Sequence, residues 1–156
     1  MKNKTLLLLL IFFSFIGIVD SIYLTHKGPH FELFEQICTN NVCDEFNIYI
    51  FGIELAVYGI FYYLTILALS LYNLYFYLST NQKHFNTKTV ILELIIVVIG
   101  LLCSLFFLYY QLAVIGGYCI YCLISLFTTI IIFLLVLIIM YTNKGEKLWI
   151  AKKIKI

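Results

Sequence analysis

The chain has 156 residues, 63% of them hydrophobic, with a mean hydropathy of +1.04. A soluble domain of this length cannot hide that much apolar surface, so the composition excludes a soluble fold and indicates an integral membrane protein. The formal net charge of +2 is too small to recruit nucleic acid, and the length fits one small membrane domain, 1–156.

Four apolar stretches predict an all-α, four-transmembrane-helix bundle. They cover 6–24, 51–78, 90–113 and 119–141. Each is near or above the roughly 20 residues that cross a hydrocarbon core as a helix. Helix is the secondary structure that pairs its backbone groups within one segment, as lipid requires.

The first stretch follows Lys2 and Lys4, as the apolar region of a secretory signal peptide would. It is longer than a typical signal core and no Ala-x-Ala-like site follows, so the expectation is a retained first helix. Asp20, near its end, is expected to reach water.

The polar segment 25–50 comes next, with His26, His30, Glu32, Glu35, Asp44 and Glu45. Phe31, Phe34 and Ile37 recur in it at helical spacing, with Glu32, Glu35 and Gln36 between them. That pattern predicts a short amphipathic helix on the membrane surface. It would hold Cys38 and Cys43 close to the bilayer, over the mouth of the bundle. His26 and His30 read as solvated loop residues.

In the second stretch Glu54 lies near its start. In the third, Glu93 sits one turn inside one end, where it is expected to snorkel outward, and Cys103 sits mid-helix, where it reads as a packing residue. The fourth stretch begins after Gly116-Gly117-Tyr118 with Cys119-Ile120-Tyr121-Cys122. Cys119 falls in the first turn, where unpaired N–H groups and the helix dipole favour a thiolate. Cys122 lies one turn deeper, at a spacing a disulfide can close.

Lysine placement gives the orientation. With four spans both termini share a side. Lys2, Lys4, Lys83, Lys88, Lys144, Lys147, Lys152, Lys153 and Lys155 fall on it, and Lys27 alone falls on the other. The positive-inside rule puts that side in the cytoplasm. The expectation is a multi-pass protein of the inner (plasma) membrane, with both cysteine pairs outside, where disulfides form and persist.

Four external cysteines admit several chemistries. They can cycle between dithiol and disulfide. They can form two static disulfides in a non-enzymatic scaffold, or a four-thiolate zinc site. They can also relay a soft metal ion with help from Asp20 or Glu54.

The order of features resembles the vitamin K epoxide reductase family in its short prokaryotic form, without a fused thioredoxin-like domain. The matching residues are Cys38, Cys43 and Asp44, then Phe51-Gly52-Ile53-Glu54-Leu55-Ala56 with Gly59, then Tyr118-Cys119-Ile120-Tyr121-Cys122-Leu123-Ile124-Ser125. The resemblance spans essentially the whole chain. Two departures stand out: the stretch between Cys43 and Phe51 is short for the family, and Glu54 replaces a proline usual in bacterial members. The other four-helix disulfide oxidases of bacterial inner membranes carry their cysteine pairs in the reverse order.

The resemblance implies a membrane thiol-disulfide oxidoreductase. Electrons would pass from a secreted or periplasmic thioredoxin-fold disulfide carrier to Cys38 and Cys43. They would go on to Cys119 and Cys122, and then to a quinone (menaquinone, ubiquinone or a relative). Cys43 is expected to exchange with Cys119, and Cys38 to meet the partner. Phe51, Gly52, Tyr58, Asn47 and Leu126 are the quinone-binding candidates, with Tyr109 and Tyr110 beside them. Most of the 13 tyrosines belong to interfacial belts. No metal is implied.

Overall fold

A computed structural model gives the fold. The structure describes residues 2–26, 49–50, 53–79, 87–115 and 120–154, and the side chains of 4–25, 55–79, 87–113 and 120–142. The described residues form helix α1 (Lys2–His26), a two-residue strand pair β1 (Tyr49–Ile50) and β2 (Ile53–Glu54), α2 (Leu55–Ser79), α3 (Thr87–Tyr110) and α4 (Ile120–Ile154). A π-helical turn, Gln111–Ile115, closes α3. Each helix contains a segment long and apolar enough to cross a membrane: Lys4–Thr25, Leu55–Ser79, Thr87–Ala113 and Ile120–Thr142. The protein is a four-helix membrane bundle.

Helix α1 packs along both α2 and α4, and α4 also packs along α3. The contact between α2 and α3 is the thinnest of these. The shared core is built from Leu7, Leu10 and Ile18 of α1, Tyr63 and Ile66 of α2, Val90 and Val97 of α3, and Ile132, Val136 and Ile139 of α4. Large side chains such as Phe12, Phe15, Phe61, Tyr75, Phe106 and Tyr141 point away from the bundle. A soluble protein would not leave so many exposed; here lipid covers them.

Lipid tails are as apolar as leucine, so burial alone does not drive these helices together. Close approach and interhelical hydrogen bonds must do so. A Cβ added at Gly17 would overlap the Tyr63 ring, and one added at Gly100 would overlap the Tyr62 ring. Both glycines let an aromatic ring of α2 lie flush against a neighbouring backbone.

Two boundaries differ in a way that matters from those read in the sequence. Helix α2 begins at Leu55, because 53–54 pair antiparallel with 49–50, Tyr49 opposite Glu54 and Ile50 opposite Ile53. Glu54 therefore belongs to a strand and not to the second helix. Helix α4 continues to Ile154, twelve residues past the end of its apolar segment at Thr142. The lysine-rich sequence there retains helical backbone outside the hydrocarbon. The amphipathic segment 31–37 lies outside the described residues.

Candidate functional site

Cys122 occupies the first turn of α4 and is half-buried. Along a helix, residues three, four and seven positions on share its face. For Cys122 these are Ser125, Leu126 and Thr129. Leu126 is buried at 8% exposure and Thr129 at 1%. The Cys122 face of α4 is thus turned into the bundle.

The sequence offered no reason to single out Tyr63, yet its phenol meets that face. The Tyr63 hydroxyl lies 2.9 Å from Ser125 Oγ and 3.0 Å from Thr129 Oγ1, and also reaches the Ser125 carbonyl at 3.1 Å. Thr129 Oγ1 donates back to the Ser125 carbonyl at 2.9 Å. Tyr63 is itself 1% exposed, with its ring against Gly17 of α1. One turn nearer the membrane surface, Tyr121 packs on Tyr23 from the last turns of α1, ring centres 5.2 Å apart. These contacts tie the first three turns of α4 to both α1 and α2. They hold Cys122 at a fixed depth and rotation.

The other candidates distribute as follows. Tyr58 stands in the first turn of α2 and is 38% exposed, so it borders the bundle and is not part of its core. Tyr109 is 70% exposed and Tyr110 37%, which places both on the lipid-facing surface near the end of α3. Cys119, Cys38, Cys43, Asn47, Phe51 and Gly52 lie outside the described residues. Asp20 is half-buried on α1. Cys103 is exposed on α3, so it faces lipid and does not pack inside the bundle.

Glu93 corrects the sequence reading outright. It does not snorkel: it is 2% exposed and faces α2. Its Oε1 lies 2.7 Å from Ser70 Oγ, and Asn73 Nδ2 donates to its Oε2 at 3.3 Å. Thr89 Oγ1 donates to Asn73 Oδ1 at 2.6 Å. The signal was present in the sequence. Ser70 and Asn73, and Thr89 and Glu93, are polar pairs at helical spacing on otherwise apolar helices. Gln111, fully buried in the π-helical turn, was also missed. Such turns interrupt regular helix, often at functional positions.

Fold and site together define a polytopic membrane protein with Cys122 in the first turn of its fourth helix, on a face turned into the bundle. The chain belongs to the vitamin K epoxide reductase family, whose family model matches residues 8–137. Membership makes it a membrane oxidoreductase of the thiol-disulfide kind, in a family linked to quinones. Searches of curated proteins and of solved structures gave no match.

Proposed function

We propose that this protein oxidises a secreted or periplasmic thioredoxin-fold disulfide carrier and passes the electrons to a quinone, so supporting disulfide formation outside the cytoplasm. The whole chain acts as one membrane domain. Both termini are cytoplasmic, and both cysteine pairs face outward. The observation that carries the reading is the setting of Cys122, half-buried at the start of α4 on the face fixed by Tyr63.

The electron balance is simple. The carrier's dithiol closes to a disulfide and gives up two electrons and two protons. The Cys38–Cys43 disulfide opens to receive them, then closes again by reducing Cys119–Cys122. Each exchange is thiolate attack on a disulfide sulfur through a mixed disulfide. A quinone supplies the terminal oxidising power, taking two electrons and two protons. The chain's own task is to place Cys122 one turn above Leu126, with Phe51, Gly52, Tyr58 and Asn47 from the start of α2 and the loop before it shaping the acceptor's place.

The test is a set of single variants assayed with two donors. Cys119→Ala or Cys122→Ala abolishes quinone reduction by any thiol. Cys38→Ala or Cys43→Ala blocks the protein donor but leaves activity with a small dithiol, which reaches Cys119 directly. Cys103→Ala is silent, as its lipid-facing position requires. Full activity of the Cys122 variant would remove the redox reading and leave a structural or metal-binding one.

A further inference from the structure

The cluster around Glu93 lies at the end of the bundle where α2 and α3 are joined, far from Cys122, and the redox relay makes no use of it. Its hydrogen-bond inventory is informative. Ser70 Oγ lies 2.8 Å from the Ile66 carbonyl and 2.7 Å from Glu93 Oε1. A serine hydroxyl has one proton to give. The Ile66 carbonyl can only accept. If Ser70 donates to it, the short contact to Glu93 needs a proton from the glutamate side.

The remaining contacts agree with that assignment. Thr89 Oγ1 donates to Asn73 Oδ1, which orients the amide so that Nδ2 donates to Glu93 Oε2. A carboxylic acid then donates from Oε1 to Ser70, which donates to the Ile66 carbonyl. Every donor in this chain meets one acceptor, and the chain runs in one direction across the α2–α3 contact. A carboxylate would draw the single Ser70 proton to Oε1 and take it from the Ile66 carbonyl. It would also place a charge, met only by neutral donors, at 2% exposure. Burying an unpaired ion costs several kcal/mol or more, whereas a satisfied neutral acid avoids that cost.

Among the described side chains, the cations at this end of the bundle are Lys88 of α3 and Lys4 of α1, and both are exposed. Helix α2 carries no Lys, Arg, Asp or Glu anywhere along its length, and neither does the apolar segment 120–142 of α4. The titratable groups on those stretches are tyrosines and Cys122, the last at the opposite end. The charged residues of α4 beyond Thr142, Lys144 and Glu146 first among them, have side chains outside the described residues.

We propose that Glu93, Ser70, Asn73 and Thr89 form an intramembrane proton-binding site, in which a neutral Glu93 carboxylic acid clasps α2 to α3. The bound ligand is a single proton, exchanged with solvent at the end of the bundle where residues 79 and 87 lie. Releasing it leaves a carboxylate at 2% exposure held only by the neutral donors Ser70 and Asn73, and the clasp weakens.

Glutamine discriminates sharply here. It reproduces the donor and acceptor of a neutral acid but not the two acceptors of a carboxylate. The full-length protein, purified in lipid nanodiscs, is melted as parent, Glu93→Gln and Glu93→Ala across neutral to alkaline pH. Glu93→Gln is expected to melt within about 2 °C of the parent at neutral pH, and Glu93→Ala lower by about 4 °C or more, at ~1–3 kcal/mol for stranding buried partners. Raising the pH should destabilise the parent and leave Glu93→Gln unmoved. In infrared spectra the parent should show a protonated-carboxyl carbonyl band that Glu93→Gln lacks and Ser70→Ala shifts. A Glu93→Gln melt as low as Glu93→Ala, absence of the acid band, or a parent melt that rises with sodium would overturn the proposal. None of these readouts depends on redox activity.

Discussion

Tyr63 is held on two sides at once. Its ring lies against the backbone of Gly17 on α1, and its hydroxyl engages Ser125 and Thr129 on α4. Moving the ring to admit a methyl group at Gly17 therefore breaks the contacts that set the rotation of α4 under Cys122. Gly17→Ala is expected to cost about 1–3 kcal/mol by overpacking. Tyr63→Phe keeps the ring and loses only the hydroxyl, at about 1 kcal/mol, the scale of one interhelical hydrogen bond in lipid. Shortening the ring in Tyr63→Leu makes room, so Gly17→Ala should cost less in that background, with a coupling of ~0.5–3 kcal/mol. Thermal melts of the four proteins in lipid check this, and strictly additive effects would contradict the wedge. Tyr63 was not legible in the sequence because 13 tyrosines in an apolar chain carry no mark of which turn inward. Only the third dimension places Gly17 and Tyr63 opposite each other.

At the level of the helices, the four spans were legible because length and apolarity are properties of each segment alone. What lay between the segments was not. Residues 51–54 read as the head of the second helix because they are mostly apolar and continuous with it, yet 53–54 pair with 49–50 as strands and the helix waits until Leu55. Glu93 read as a snorkelling residue because it stands near a helix end. Its burial depends on α2 presenting Ser70 and Asn73 at the same height. The α2–α3 contact rests on few features, and Gly100 against Tyr62 is one of them. There the added methyl would meet the tip of the ring, Cζ and the hydroxyl, where at Gly17 it meets the ring edge of Tyr63. A tip is displaced by a small side-chain rotation. Gly100→Ala is therefore expected to cost about 1 kcal/mol, less than Gly17→Ala, and Gly100→Leu to cost more than either. A reversed order in melting temperature would show that α3, not the Tyr62 ring, gives way.

Across the whole molecule, the nine-to-one lysine split and the cysteine relay make one connected statement. Helix α4 carries Lys144, Lys147, Lys152 and Lys153 from about 3 to about 17 Å beyond the membrane segment if its helix stays straight. Cys122 stands at the other end of the same helix. If the lysines are cytoplasmic, both cysteine pairs are outside, and a cysteine placed at residue 85 should resist an impermeant thiol reagent in intact cells. Labelling there from outside would invert the orientation. The proposed relay must pass through a covalent intermediate, because in it a loop thiolate attacks a Cys119–Cys122 disulfide before any electrons reach Cys122 as a free thiol. Cys122 is the leaving group in that step and the resolving thiol in its reversal. In Cys122→Ser the reversal is lost, so a disulfide between Cys119 and a loop cysteine should accumulate. Cys43 is the expected partner, since it is nearer in sequence to Leu55 and so tethered closer to the bundle. The packing of Tyr121 on Tyr23 brings the end of α1, where the loop departs, beside the start of α4. Mass spectrometry of the alkylated, unreduced protein identifies the linked peptides. Finding Cys119 only as an alkylated thiol under oxidising conditions would mean that the loop never reaches it, and the two pairs would have to work separately.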